Sequence, residues 1–134
     1  MSNMKAPIPV TVLCVEDEDE QLGLRRLLFE SAGFEFLGAR TGKEALELFR
    51  TREIGAAVLD YWMSGMNGMA LATEMKRQRP TIPVVMLSGF ASLPGEGLGV
   101  VDAWFQKAHV EPESLIEQIR ELIQRNASST VEKS

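Results

Sequence analysis

Two short apolar runs in this chain each end in acidic residues. Residues 10–15 (VTVLCV) lead into Glu16 and Asp17, and residues 56–59 (AAVL) lead into Asp60. Because a buried carboxylate is costly unless a cation or hydrogen-bond donors meet it, packing alone gives a strand little reason to end this way. If the two runs are neighbouring parallel strands, the three carboxylates converge at one edge of a sheet. Such a cluster is typical of a site for a hard metal ion.

Strand-like and helix-like segments alternate along the chain, which indicates how these acids are positioned. Apolar or β-branched runs predict five strands, at residues 10–15, 34–39, 56–59, 82–87 and 102–106. The intervening segments carry apolar residues at helical spacing, and Pro112 suits the first turn of the last helix. The pattern predicts an α/β fold with a single five-stranded, parallel, doubly wound sheet that has helices on both faces.

The first predicted helix is clearly bounded in the sequence, whereas the fourth contains helix-breaking residues. The first is predicted to end at Gly33 and carries Leu24, Leu27, Leu28 and Ser31, which recur at helical spacing. Residues 91–99, where the fourth helix is expected, contain one proline and three glycines, and both residue types disfavour a helix interior. We therefore expect a short or irregular fourth helix, or a loop.

Length and composition favour one ordinary globular domain. The chain has 134 residues, of which 45% are hydrophobic and 25% are charged. A chain of this size buries a sufficient core without disulfides or structural metals. We predict an N-terminal extension over residues 1–9, a domain over residues 10–125 and a polar tail, expected to be disordered, over residues 126–134.

Charge and cysteine content bear on location and partners. The formal net charge of -5 argues against nonspecific nucleic-acid binding, which needs a basic face. No apolar stretch approaches the roughly 20 residues of a membrane helix, and the N-terminus lacks a signal-peptide pattern. The single cysteine, Cys14, lies in an apolar run and is expected to be a buried, unreactive thiol in a reducing compartment. These features predict a cytoplasmic protein without direct contact to membranes or nucleic acids.

Four side chains that could do chemistry fall at the carboxyl ends of the predicted strands: Asp17, Asp60, Ser88 and Lys107. In doubly wound sheets the ligand crevice lies beyond these ends, where the strand order reverses. Taken singly, each has an ordinary structural explanation, since acids cap turns, a serine–glycine pair forms a turn, and lysines commonly lie at the surface. Their shared position along the strands favours a site.

Taken in order, these residues resemble the receiver domain of two-component response regulators, including chemotaxis regulators. The resemblance covers roughly residues 10–125 and depends on four segments: Val15-Glu16-Asp17-Glu18, residues 59–68 (LDYWMSGMNG), Leu87-Ser88-Gly89 and Trp104-Phe105-Gln106-Lys107. Any one segment would be weak evidence, but the ordered set at these spacings is specific. The resemblance implies a flavodoxin-like (βα)5 fold with strand order 2-1-3-4-5.

The resemblance also implies the chemistry of the site. Asp60 would be the nucleophile that accepts a phosphoryl group and becomes an aspartyl-phosphate. Mg²⁺ would be the cofactor, because crowded carboxylates need a dication to stay ionised and magnesium prefers oxygen ligands. By the family pattern Asp17 and Asp60 bind the ion directly. Glu16 acts through a water molecule, and Trp62 contributes its backbone carbonyl.

Further residues are implied to sense the phosphoryl group. Lys107 would supply a positive charge to its oxygens, and Ser88 a hydroxyl hydrogen bond. Ser88 and Trp104 would form the switch, with Ser88 moving toward the phosphoryl group and Trp104 entering the vacated space. Trp62 and Phe90 flank the site, and we hypothesise that they shield it from water. The donor would be a histidine kinase or a histidine phosphotransfer protein in a phosphorelay, the downstream protein partner is unknown, and the chain would catalyse only its own phosphorylation and dephosphorylation.

Departures from the family pattern leave alternatives open. Ala108 stands where the family has a proline in a cis bond, Ser64 replaces the usual proline after the acceptor, and Trp104 is bulkier than the usual tyrosine or phenylalanine. The competing hypothesis is a phosphorylation-independent pseudo-receiver that acts as a protein-interaction module. A metal-dependent phosphohydrolase is disfavoured, because Trp62 stands where such an enzyme has its general acid. Homodimerisation through the final helix is a further alternative.

Overall fold

The structure is a computed structural model that describes residues 9–63, 66–89 and 99–133. In chain order its elements are β1 (Thr11–Val15), α1 (Asp19–Ser31), β2 (Glu35–Ala39), α2 (Gly42–Thr51), β3 (Ala56–Asp60), β4 (Trp62–Met63), β5 (Met66–Asn67), α3 (Gly68–Gln78), β6 (Val84–Ser88), β7 (Ala103–Gln106) and α4 (Pro112–Lys133). Most of the predicted N-terminal extension, Ser64, Phe90 and nearly all of the predicted fourth helix lie outside the described residues.

Five of the strands form one parallel sheet in the order β2-β1-β3-β6-β7, and β4 and β5 form a small antiparallel pair. With the five sheet strands numbered consecutively, this order is 2-1-3-4-5, so the predicted doubly wound, flavodoxin-like topology is confirmed. The register pairs Val15 with Leu59 and Asp60 with Leu87. The carboxyl ends of the three central strands therefore meet at one edge of the sheet.

The sheet is covered on both faces, which explains why its strands are continuous apolar runs. Side chains along β1 alternate between two separate cores, as strand geometry requires. Leu13 and Val15 belong to the core beneath α2 and α3, whereas Val12 and Cys14 belong to the core that includes residues of α1 and α4. All four are fully buried.

The buried face of α1 is offset by about one residue from the leucines that recur at helical spacing. Leu24 is 56% exposed and Leu27 is 66% exposed, whereas Arg25 and Phe29, four residues apart, are buried. Phe29 packs against Phe34 and Phe36, with ring centroids 5.7 and 6.1 Å apart. The helix therefore turns its aromatic side chain and a basic side chain toward the sheet, and leaves two leucines in solvent.

The predicted end of α1 at Gly33 is confirmed, and its geometry explains the glycine. Gly33 has a positive φ of 94°, which favours glycine. The backbone N–H of Gly33 donates to the carbonyl of Glu30, and that of Phe34 donates to the carbonyl of Phe29. These two hydrogen bonds form a Schellman motif that satisfies the last carbonyls of the helix.

The final helix differs from the sequence prediction at its C-terminus. Its apolar stripe packs as expected, with Leu115, Ile119 and Leu122 buried. However, α4 continues through Lys133, beyond residue 126, where the disordered tail was predicted to begin. No glycine or proline occurs between residues 126 and 133, so no strong helix breaker interrupts the backbone hydrogen bonding. Among the described residues no helix is long and apolar enough to cross a membrane.

Candidate functional site

Three carboxylates meet at the carboxyl edge of the sheet. Glu16 and Asp17 follow β1 directly, and Asp60 is the last residue of the neighbouring strand β3. One carboxylate oxygen from each residue lies within 4.8 Å of the others. Glu16 is fully buried, Asp60 is 2% exposed, and Asp17 is half-buried. Because oxygen ligands this close repel one another unless a cation lies among them, the donor set fits a hard dication such as Mg²⁺.

Lys107 reaches this cluster from the far side of β6. Its ammonium donates to Oδ2 of Asp60 at 2.9 Å and lies 3.3 Å from Oε1 of Glu16. The Lys107 backbone N–H donates to the carbonyl of Ser88 at 2.6 Å, which extends the β6–β7 pairing by one residue. No cis peptide bond occurs among the described residues, so the Lys107–Ala108 bond is trans. The structure thus brings together the lysine and two of the acids that the sequence singled out.

A second cation, Arg25, was not anticipated from the sequence. Its guanidinium nitrogen Nη1 lies 2.9 Å from Oε1 of Glu16 and 3.8 Å from Sγ of Cys14. Oε2 of Glu16 accepts a hydrogen bond from the backbone N–H of Glu18 at 3.1 Å. Both carboxylate oxygens of Glu16 are therefore engaged. Arg25 lies four residues before Phe29, so the two share one face of α1. This spacing could have indicated that Arg25 is buried, but the neighbouring leucines at helical spacing suggested a different buried face.

Burial dominates the electrostatics of Asp60. Burial, the largest effect, and the neighbouring Glu16 carboxyl together raise the pKa of Asp60 to about 6, against the opposing effect of the Lys107 ammonium. Partial burial lowers the pKa of Lys107, but the hydrogen bonds and charges of Asp60 and Glu16 outweigh that effect and raise it overall. Lys107 is therefore a stable positive charge, whereas Asp60 in the metal-free protein takes up a proton as the pH falls to about 6.

Gly68 positions the Asp60 segment by close approach of two backbones. It opens α3, and its N–H donates to the carbonyl of Tyr61 at 2.7 Å. A Cβ atom at Gly68 would collide with the carbonyl oxygen of Asp60 and would lie 2.9 Å from Cα of Tyr61. Asn67 caps the same helix, with Oδ1 accepting from the N–H of Met69 at 2.6 Å. The sequence predicts a helix from Gly68, but it does not reveal this contact.

The remaining predicted residues lie around the cluster. Ser88 is fully buried at the end of β6 and pairs with Gln106 of β7. Trp104 lies within β7, half-buried, and packs against the core beneath α2 and α3. Trp62 is 72% exposed in β4, and its ring lies 6.4 Å from that of Tyr61. Ser88 and Trp62 thus border the acceptor strand, and Trp104 belongs to the strand that carries Lys107.

Comparison with known proteins decides the family. Residues 12–97 match the family model described as the response regulator receiver domain. The chain belongs to this family. The predicted resemblance to two-component receiver domains is therefore confirmed.

Individual proteins show the same likeness. The chain is 29% identical over 129 residues to the transcriptional regulatory protein SrrA of Staphylococcus aureus, covering 92% of this chain and 52% of SrrA. It covers only 29% of the transcriptional regulatory protein GlrR of Escherichia coli. The receiver thus spans about a third to a half of the length of these curated relatives.

Solved structures share the fold. A CheY-like receiver domain protein from Methanospirillum hungatei superimposes with a TM-score of 0.83 at 26% identity, covering 91% of this chain and 99% of that chain. The response regulator TrrA of Thermotoga maritima, solved in complex with Mg(2+)-BeF, superimposes with a TM-score of 0.78 at 23% identity, covering 84% and 98%. At that identity the likeness to TrrA shows the fold alone.

Proposed function

We propose that this receiver accepts a phosphoryl group on Asp60 from a histidine kinase or a histidine phosphotransfer protein, with Mg²⁺ as cofactor. The observation that carries the proposal is the position of the Asp60 carboxylate, which Lys107 contacts at 2.9 Å beside two further acids. A nucleophile, a fixed cation and a set of hard-metal ligands thus share one edge of the sheet. Phosphoryl transfer depends on positioning and charge stabilisation of this kind.

Mg²⁺ would be held by Asp17 and Asp60 directly, by Glu16 through water and by the backbone carbonyl of Trp62. The three acids supply carboxylate oxygens close enough to share one ion. When bound, the ion would neutralise charge on the phosphoryl oxygens and on the carboxylates. The complex of TrrA with Mg(2+)-BeF supports this choice only to the extent that TrrA shares the fold.

Asp60 is the group that reacts. One of its carboxylate oxygens forms the new bond to phosphorus, while the bond from phosphorus to the donor histidine nitrogen breaks and its electron pair stays on the imidazole. The acceptor must be ionised, and a pKa of about 6 leaves it largely ionised at neutral pH. The Lys107 ammonium, which contacts Oδ2 of Asp60 in the unphosphorylated protein, is placed to follow the charge onto the phosphoryl oxygens.

The switch would act through β6 and β7. Phosphorylation adds roughly -1.5 to -2 charge and three strong acceptors beside Asp60. The Ser88 hydroxyl would bond to these acceptors, and Trp104 would respond from the paired strand. Ser88 accepts the backbone hydrogen bond of Lys107, so movement at Ser88 is coupled directly to the segment that carries the site lysine.

We further propose that residues 10–125 form the signalling unit of a cytoplasmic protein that acts on a downstream protein partner rather than on nucleic acid or membrane directly. Its own phosphorylation and dephosphorylation would be its only catalysis. Homodimerisation through α4 is one way in which phosphorylation could be read out. The named relatives are transcriptional regulators, but this chain covers about half or less of each.

A phosphorylation-independent module is the second candidate. The observation that favours it is the partial neutralisation of the acidic cluster by Lys107 and Arg25, two cations that the protein itself supplies. Because Lys107 and Arg25 offset most of the negative charge of the acidic cluster, the receiver would keep its fold without a bound metal ion. Such a module would bind its partner equally well in the presence and absence of a phosphoryl donor.

Tryptophan fluorescence separates the two candidates, because Trp62 lies two residues after Asp60 and Trp104 lies in β7, the strand that pairs with the strand of Ser88. Emission is expected to change on addition of Mg²⁺ and again on addition of beryllofluoride, and Asp60→Asn should abolish the second change. A stable acyl phosphate on Asp60, detected by mass spectrometry after incubation with acetyl phosphate, provides the covalent readout. If neither readout responds in the wild-type protein, the phosphoacceptor function is wrong and the interaction module is supported.

A further inference from the structure

Arg25 lies at the buried side of the acidic cluster and is not needed by the chemistry proposed above. We infer that Arg25 is a resident counter-cation, a positioning residue that holds Glu16 and weakens the affinity of the cluster for Mg²⁺. The inference rests on the proposed function, because it concerns the same metal site. In this receiver an arginine, in addition to the lysine and the metal ion, would offset the negative charge of the acidic cluster.

The geometry of the pair is the first argument. The side chain of Arg25 is 8% exposed, that of Glu16 is fully buried, and the nitrogen–oxygen distance is 2.9 Å. Glu16 is held by three donors at once: Arg25, the Lys107 ammonium at 3.3 Å and the backbone N–H of Glu18 at 3.1 Å. A carboxylate engaged in this way has little freedom to turn toward a metal-bound water.

The cost of burying an arginine is the second argument. The position lies on the inward face of α1, one turn before the fully buried Phe29. An apolar side chain would fill such a position without desolvating a charge. Within the described residues Arg25 is buried against Glu16 and close to Cys14, so its charge faces the acidic cluster and not solvent.

The charge of the cluster is the third argument. With all groups ionised, three carboxylates, Lys107 and Arg25 give a formal charge of -1, whereas without Arg25 it would be -2. A dication is attracted less strongly to the first arrangement. A unit charge buried a few ångströms from the ligands changes dication affinity by about tenfold or more at the effective dielectric of a protein interior.

The test measures Mg²⁺ dissociation constants of the full chain by isothermal titration calorimetry at pH 8. Arg25→Met is expected to tighten binding by about tenfold, and Arg25→Lys, which keeps the charge, should bind within about threefold of wild type. The matched control is Arg26→Met, because Arg26 is the next residue of α1 but is half-exposed and pairs with Glu30 at 3.5 Å. That variant changes the net charge equally and should leave the dissociation constant within twofold.

A double mutant shows whether Arg25 acts through Glu16. In a Glu16→Gln background, Arg25→Met is expected to tighten Mg²⁺ binding less than it does in the wild-type background, because the loss of charge remains but Arg25 no longer holds a carboxylate at position 16. If Arg25→Met does not fold, as judged by circular dichroism, Arg25→Gln removes the charge while retaining hydrogen-bond donors. The same tightening is expected for that variant.

Each result decides the inference. Equal Mg²⁺ binding by wild type and Arg25→Met, or weaker binding by the variant, overturns it and leaves the proposed metal site intact. Binding by Arg25→Met alone supports the inference but contradicts the proposed use of Mg²⁺ as cofactor by the wild-type protein. Binding by neither protein overturns the proposed metal site and this inference together.

Discussion

Lys107, the residue after β7, and Asp60, the last residue of β3, meet at 2.9 Å although these two strands are not neighbours in the sheet. Strand β6 lies between them, and the lysine side chain spans its carboxyl end. The contact is possible because the Lys107 N–H is anchored to the carbonyl of Ser88, the last residue of β6. The contact therefore depends on the register of β3, β6 and β7, and a shift in any of these strands would separate Lys107 from Asp60.

Replacing Lys107 should impair phosphorylation far more than folding. We expect Lys107→Met to lower the rate of Asp60 phosphorylation by acetyl phosphate at least tenfold, because the ammonium is the protein's own charge beside the acceptor. The rate is measured by mass spectrometry at saturating Mg²⁺. Lys43→Met, at an exposed position in α2, serves as the control and should react like wild type. A normal rate in Lys107→Met would remove Lys107 from the proposed machinery.

The raised pKa of Asp60 predicts a pH dependence of stability in the metal-free protein. The folded-state pKa of about 6 lies above the roughly 3.9 of an unfolded aspartate, so the folded state binds the proton more tightly. This stabilising contribution is complete below about pH 4 and is lost as the pH rises through about 6. Between pH 5 and pH 8 the loss amounts to about 1 kcal/mol.

Urea denaturation in EDTA at pH 5 and pH 8 checks this dependence. The free energy of unfolding of wild type should fall by about 1 kcal/mol more than that of Asp60→Asn, which lacks the titrating group. Comparing the two proteins cancels the contributions of the other carboxyl groups. Parallel changes in the two proteins would show that Asp60 has an ordinary pKa in the folded state.

The close approach at Gly68 predicts a large cost for a single methyl group. Gly68→Ala should lower the free energy of unfolding by roughly 2 kcal/mol or more, because Cβ meets the backbone of Asp60 and Tyr61, which cannot yield as a side chain can. Gly23→Ala is the matched control. Gly23 lies in α1 with open space around it, so alanine there should stabilise the protein by about 0.5–1 kcal/mol. Equal effects at both positions would contradict the packing that we describe.

The exposed ring of Trp62 predicts an effect on the lifetime of the phosphorylated state. If the indole limits water access to the aspartyl-phosphate, Trp62→Asn should shorten the lifetime several-fold, measured by release of inorganic phosphate after removal of the donor. Leu27→Asn, which replaces a similarly exposed apolar side chain on α1, should leave the lifetime unchanged. An unchanged or longer lifetime in Trp62→Asn would reject the shielding hypothesis.

The strands and their order were predictable because each strand is a short apolar run bounded by polar or turn residues. The acids at the ends of β1 and β3 indicated the position of the site, because a buried carboxylate contributes nothing to apolar packing. Gly33 was also correctly placed at the end of α1, where its φ of 94° favours glycine. These features depend on local sequence and its periodicity.

The features missed from the sequence depend on contacts between distant segments. Arg25 is buried because Glu16, nine residues earlier, needs a partner, and that need overrides the leucine periodicity of α1. Glycine is required at position 68 because the backbone of Asp60 and Tyr61, at the end of β3, leaves no room for a Cβ atom. Helix propensity carries no information about this contact. Hydrophobic spacing locates a helix, but the charge it must neutralise decides which face turns inward.

The reactivity of the Cys14 thiol can be used to follow unfolding of this protein. Cys14 is fully buried in β1, in the core that includes residues of α1 and α4. Burial is the main reason that its pKa is raised to about 11. A thiol-reactive reagent can modify it only after the central strand has been exposed, because neither access nor thiolate is available in the native fold. The rate of modification therefore measures how often the molecule opens to its core, without any added label.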